Sequence, residues 1–364
     1  MSPRNGERLK KNQLILGLVV LVALVALVAY EQHQHPFDWG MFVEQFGRAD
    51  WQKIGIAAGC IYLGYAFRSV RWSWLIRHNK KVHLFSLVGT QVIGFTAVAL
   101  IGRIADLVRP YLVAKKTGLP LSTQIAVYIV ERLFDAGSMA LLFFSAILLS
   151  PKGTLPHPET FEKFGRWGLI ATLAGALFLV IVRLAGETVA TFFEKTLGLA
   201  SKNLGLAVAS KVRTFRVGLD TLRSFSDFAF TLGISLAMWG LITVSYFEGT
   251  RAFVPATQQD SVSLAKCMVL MVSSGAASVI QLPVLGWFTQ IFAVQKTLEP
   301  LFGMAQETAT ACAATLLLVT FLSIIPVGLI WAQFENVSLR RIAKESEHEA
   351  EEIAEDEPAP NNAR

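Results

Sequence analysis

The run Leu14-Ile15-Leu16-Gly17-Leu18-Val19-Val20-Leu21-Val22-Ala23-Leu24-Val25-Ala26-Leu27-Val28-Ala29-Tyr30 carries no charged side chain. A helix rises about 1.5 Å per residue, so the run falls within the roughly 17–25 apolar residues that cover a hydrocarbon core of about 30 Å. Arg4, Arg8, Lys10 and Lys11 precede it, and Ala26 and Ala29 lie near its end, a pattern that a signal peptide also has. The run is longer than the about 7–15 residues of a signal h-region, and the spans that follow need an anchored start, so a retained first helix is the preferred reading.

The rest of the chain agrees. Of its 364 residues 53% are hydrophobic and 16% charged, a balance that would leave a soluble domain with far too much apolar surface in water. Apolar runs recur at 53–70, 122–150, 167–183, 226–248 and 306–333, and two further stretches, 83–113 and 264–297, are interrupted. The expected fold is therefore all-α: a polytopic transmembrane helical bundle of six full spans and two broken or re-entrant helical hairpins.

The net charge of +6 does not point to nucleic acid once its distribution is followed. With a cytoplasmic N-terminus, one face keeps only Arg48, Lys53, Lys152, Lys163, Arg166, Arg251, Lys266 and Lys296, and most other Lys and Arg collect on the opposite face. This bias places both termini in the cytoplasm of a bacterial-type cell whose cytoplasmic membrane holds the chain. Residues 187–224 mix Phe192, Phe193, Leu197, Leu206 and Phe215 with Lys and Arg, as expected of an amphipathic cytoplasmic connection lying on the membrane, a solvated linker being the alternative. The expected membrane domain is 1–344. Residues 345–364, acidic and then Pro- and Asn-rich, read as a disordered tail.

Both interrupted stretches break at polar or glycine-rich points. The first carries Gly89, Thr90, Gln91, Gly94 and Thr96, breaks at Gly102, and resumes with a short leg from Ile104 to Lys115. In the second, a leg from Leu264 to Ile280 breaks at Gln281-Leu282-Pro283-Val284-Leu285-Gly286 and a short leg runs from Trp287 to Gln295. Irregular backbone at membrane depth is tolerated only against protein or a wet cavity. By the charge distribution the first hairpin enters from the cytoplasm and the second from outside, the arrangement of an inverted repeat. Pairs of ordinary tilted helices are the plainer alternative.

Charges inside the apolar segments need partners, since one ionised group at the bilayer centre costs about 2.5–3.5 kcal/mol even on the lenient scale. Arg103, Asp106 and Arg109 recur every three residues. Gln124, Tyr128, Glu131, Asp135 and Ser138 draw one polar stripe along the 122–150 helix. The preferred pairing is Arg103 and Arg109 with Glu131 and Asp135, one Arg being left to hold an anionic headgroup; a purely structural ion network is the rival. Arg68, Arg71, Trp72, Trp74, Arg77 and His78 read as an interfacial anchor at the cytoplasmic end of the second span, with phosphate capture at the cytoplasmic mouth as the alternative.

No Walker loop, HExxH, nucleophile elbow or Cys/His cluster occurs, and Cys60, Cys267 and Cys312 lie singly in apolar runs. No metal or cofactor is expected.

Gly102-Arg103-Ile104-Ala105-Asp106-Leu107-Val108-Arg109-Pro110, followed by Glu131-Arg132-Leu133-Phe134-Asp135, resembles the lysylphosphatidylglycerol synthase transmembrane-region family, also called flippase-like. There the motifs read G-R-x-G-E-x-x-R-P and E-R-x-x-D; this chain has Ala105 and Asp106 at the central Gly-Glu. The resemblance covers about residues 10–335, with Gln281-Leu282-Pro283-Val284-Leu285-Gly286 standing where relatives carry a Gly-rich motif. It implies a lipid-handling membrane protein without the soluble aminoacyl-transferase domain of the synthases. The candidate substrate-binding set is Arg103, Asp106, Arg109, Tyr111, Glu131, Arg132, Asp135, Gln281, Pro283 and Gly286. The expected function is movement of an anionic lipid, a phospholipid or a polyprenyl-phosphate-linked molecule, between leaflets, without enzyme activity; homo-oligomerisation stays open. The alternatives are a membrane-embedded transferase using Glu131 or Asp135 as general base, and a non-catalytic lipid-binding envelope assembly protein.

Overall fold

The computed structural model describes residues 37–151, 153–155, 158–199, 201–202, 205–206, 208–210, 224–278 and 285–339, and also 341, 342, 344, 345 and 348. The apolar run 13–30, residues 211–223, the break at 279–284 and nearly all of the acidic tail lie outside the described residues. Every regular element among the described residues is helical.

A short amphipathic helix, α1 (Trp39–Arg48), starts where the Asp38 carboxylate accepts from the Met41 amide at 2.9 Å. Asp50 caps the next helix, α2 (Trp51–Ile76), through the amides of Gln52 and Lys53. The first interrupted stretch follows as α3 (Val88–Ile101), a 3-10 turn at Arg103–Leu107, and α4 (Val108–Thr117). Two long helices come next, α5 (Leu121–Leu148) and α6 (Pro158–Gly198). The second half begins with α7 (Phe225–Arg251), capped reciprocally by Ser224 and Asp227. It continues with α8 (Leu264–Ala277), α9 (Leu285–Phe302) and α10 (Gln306–Leu317), the last running through a π turn at Leu318–Leu322 into α11 (Ile324–Phe334).

Among the described residues three helices are long and apolar enough to cross a membrane: Glu159–Val182, Phe225–Arg251 and the continuous Gln306–Phe334. The first of these is only 12% buried, and Trp167, Leu173, Leu177 and Ile181 point outward along it, a surface suited to lipid and not to water. At 26 and 28 residues, α2 and α5 are also long enough, near 39 and 42 Å by the rise of about 1.5 Å per residue. Their apolar content is diluted by the charged side chains that pair between them.

Several expected boundaries shift. The sequence places the end of the second span at residue 70, but α2 continues to Ile76 because Trp72, Leu75 and Ile76 are buried on its inner face. The helix expected at 167–183 continues to Gly198, bent at Ala185 (φ −129°, ψ 32°), so the connection expected from 187 begins as an extension of that helix. The residues before Val88 form turns, which shortens α3 to 14 residues, about 21 Å. In the second hairpin the later leg is longer than expected, reaching Phe302 with Pro300 inside it.

The core is organised by α2 against α7, with α5 and α10 beside them. The first hairpin is clasped between α5 and α11, and the second between α7 and α10. Just beyond the π turn, Tyr62 donates to the Ser323 carbonyl at 2.9 Å and Thr96 to that of Ile324 at 3.1 Å, which ties the start of α11 to α2 and α3.

Candidate functional site

The α5 polar stripe is buried in the middle of this arrangement, with Gln124, Glu131, Asp135 and Ser138 at 0–4% exposure. Two other helices bring arginines to it. From α2, Arg71 donates through Nη2 to Glu131 Oε1 at 2.7 Å and through Nη1 to Asp135 Oδ1 at 2.7 Å, and the same Nη1 reaches Ser235 Oγ of α7 at 2.8 Å. One guanidinium thus joins three helices, in the forked geometry for which Arg is suited. From α4, Arg109 donates through Nη1 to Glu131 Oε1 and to Gln91 Oε1, both at 3.1 Å. Arg68 approaches both carboxylates at 3.4 and 3.5 Å, and Arg132 does so at 3.6 and 3.7 Å. Trp239 of α7 adds its indole N–H to Asp135 at 3.3 Å.

The local sequence is shaped to admit these groups. Gly102 sits at φ 94°, a conformation that releases α3 into the 3-10 turn and that L side chains rarely adopt. Gly94 serves a different purpose. A Cβ there would lie 2.1 Å from Cγ of Arg109, so a bare backbone makes room for that side chain. The Arg109 guanidinium then lies over aromatic rings, 4.5 Å from the Phe95 centroid and 5.2 Å from that of Tyr128.

Four guanidiniums therefore meet two carboxylates. Among the described residues no protein acceptor lies within hydrogen-bond distance of Nε of Arg71, Nε and Nη2 of Arg109, Nε of Arg132, or the amide nitrogens of Gln91 and Gln124, and Nη2 of Arg132 comes no nearer to the carboxylates than 3.6 Å. Every one of these unmet groups is a donor. A buried donor without a partner is destabilising by about 1–3 kcal/mol, and an oxyanion is the chemical group that satisfies several such donors together.

Of the expected site residues, Arg109, Glu131, Arg132 and Asp135 lie in this one cluster. Asp106 is half-buried on the 3-10 turn and acts through space on Tyr128 and Arg132. Tyr111 is directed elsewhere: its hydroxyl donates to Glu345 at 2.9 Å. For Arg103 only the backbone is described, so the expected pairing of its side chain lies outside the described residues, as do Gln281 and Pro283. Gly286 is buried near the start of α9.

Arg68 and Arg71 correct the sequence reading. An interfacial anchor at the end of α2 is what the sequence leads one to expect of them, but Arg71 is 1% exposed and is the arginine of the cluster that hydrogen-bonds the most residues, Glu131, Asp135 and Ser235. Their spacing of three residues, with Trp72, Leu75 and Ile76 continuing the apolar face, is the signal that could have found them. Only Arg77 and His78 stay near the helix end, where both bind Asp227 and lock the end of α2 to the start of α7.

No curated protein and no solved structure matches the chain. The family profile described as the lysylphosphatidylglycerol synthase TM region matches residues 14–330, a stretch that takes in both broken hairpins and the whole ion cluster. This multi-pass membrane protein belongs to the lysylphosphatidylglycerol synthase transmembrane-region family.

Proposed function

We propose that the protein moves an anionic lipid between the leaflets of the cytoplasmic membrane, holding the headgroup at the cluster of Arg71, Arg109 and Arg132 while the tails remain in the bilayer. One observation carries this reading: the buried cluster has more guanidiniums than carboxylates, and its unmet groups are N–H donors together with the Ser138 hydroxyl, which can donate as well. Glu131 and Asp135 compensate part of the charge in the closed site, and a phosphate displaces Arg109 from Glu131 as the site opens.

The order of elements supports alternating access. A helix of 26 residues, a broken hairpin opening with 14, and a helix of 28 are followed in the second half by 27, a hairpin opening with 14, and a continuous 29. Two such halves in opposite orientation, both termini being cytoplasmic, would rock about a central site. The transferase reading is weaker, because each carboxylate is engaged by more than one guanidinium and so makes a poor general base.

The test is Arg109→Gln in vesicles that carry labelled anionic phospholipid, read by a membrane-impermeant quencher. Wild type exposes the inner-leaflet label, and the variant, still folded by thermal unfolding in detergent, moves it at least about tenfold more slowly. Equal rates would remove Arg109 from the function.

A further inference from the structure

The charge of the cluster narrows the lipid further, on the assumption that the lipid-moving reading holds. The contact set of Arg68, Arg71, Arg109 and Arg132 against Glu131 and Asp135 leaves two positive charges. Asp106 is half-buried and acts on Arg132 through space, so it tempers the outer end of the set without entering the buried part. In surroundings of low dielectric, a bound group that cancels the excess is favoured over one that leaves a residual charge.

The donors point the same way. Arg109, Gln91 and Gln124 are at most 1% exposed, and each keeps N–H groups that no described acceptor meets. Arg109 and Arg132 both lie about the Tyr128 ring, at 5.2 and 5.1 Å from its centroid, so the inner and the outer unmet guanidinium are bridged by one side chain. Arg132 is 41% exposed at its side chain while Arg109 is 1% exposed, which gives an approaching anion a first and a second cation in sequence. A phosphodiester offers two non-bridging oxygens and one charge to these groups. A phosphate monoester offers three oxygens and, above its second pKa of about 6, close to two charges.

We infer that the headgroup taken by this site is a phosphate monoester dianion at the end of a lipid, and that singly charged phosphodiester lipids are poor substrates.

The experiment uses the full chain in vesicles at pH 8 with three probes: labelled phosphatidic acid, labelled phosphatidylglycerol, and radioactive inorganic phosphate outside. Phosphatidic acid should change leaflets about tenfold faster than phosphatidylglycerol, a difference of about 1.4 kcal/mol in barrier. Arg132→Gln, which lowers the excess to one charge at a half-exposed position, should narrow that ratio to about threefold or less. Equal or faster movement of phosphatidylglycerol by wild type overturns the dianion assignment and leaves lipid movement standing. Uptake of inorganic phosphate with no lipid moving retains the dianion and overturns its lipid source. Movement of none of the three overturns the lipid-moving reading, and this inference falls with it.

Discussion

The two broken hairpins open with helices of equal length, 14 residues each, yet one is joined to its surroundings by charge and the other by neutral hydroxyls and amides. In the first, α3 meets α4 through Gln91 and Arg109, and Arg109 continues to Glu131 on α5. In the second, the two legs mostly bind each other: Ser273 lies 2.8 Å from the Thr297 hydroxyl, and Gln290 donates to Ser274 at 2.6 Å. Tyr246 of α7 donates to Ser274 as well, at 2.8 Å. A charged network in a low dielectric holds tightly only while complete, whereas neutral pairs lose little when one is removed. The first hairpin is thus the place where the gain or loss of one charge changes the energetics most. The second is an internally tied unit suited to moving as a body.

The largest expected effect is at Glu131. Glu131→Gln leaves Arg71 and Arg109 buried with one carboxylate fewer, and breaking a buried pair in this way is destabilising by about 3–5 kcal/mol. Unfolding in detergent, followed by tryptophan fluorescence, should show that loss. A variant as stable as wild type would mean that water or lipid already compensates the charges, and the contrast between the hairpins would collapse.

A smaller effect is expected at the matching position of the neutral network. Ser274→Ala removes the acceptor shared by Tyr246 and Gln290 and should lower stability by about 1–2 kcal/mol in the same experiment, with anionic lipid still moving. If the loss equals that of Glu131→Gln, the second hairpin is not the lesser partner. If lipid movement stops while the fold persists, its hydroxyls belong to the substrate path.

These two networks are not equally legible in the sequence. The α5 stripe is readable because Gln124, Tyr128, Glu131 and Asp135 keep helical spacing and carry charge where the bilayer disfavours it. Arg71 is misplaced by a sequence reading because hydropathy falls at Arg68 and Arg71, and an apolar run ends on paper where the helix does not. Its partners come from α5 and α7, some 60 and 160 positions later in the chain, and no local pattern announces them. The neutral network leaves no trace, since Ser273, Ser274 and Thr297 are common in helices and only their meeting across the break gives them meaning. The end of α9 is foreshortened for a related reason: Lys296, Glu299 and Pro300 look like an exit from the membrane, yet Lys296 pairs with Glu299 at 3.5 Å and the helix runs on to Phe302.

The smallest expected effect concerns a contact that, among the described residues, the first hairpin makes with the segment after α11. Tyr111, one turn beyond the start of α4, donates its hydroxyl to Glu345, whose other oxygen accepts from Arg341 at 2.6 Å. Ile342 is buried in the same core cluster as Tyr111 and Leu112, so the segment after α11 is seated on the leg that carries Arg109. The Arg341 guanidinium and the Tyr111 hydroxyl hold the Glu345 carboxyl below its usual value of 4.5. A carboxyl depressed in this way stabilises the contact above its unfolded pKa, and the contribution is lost as pH falls through the lowered folded value. Hydrogen exchange of residues 337–342, corrected for intrinsic rates, should therefore be slower at pH 7 than at pH 3. Tyr111→Phe should weaken that pH dependence and leave the Glu131 cluster, read by detergent unfolding, unchanged. A variant whose exchange keeps the full pH dependence would show that Arg341 alone sets it, and the segment would then be seated on α4 by Ile342 and its apolar neighbours without help from the tyrosine.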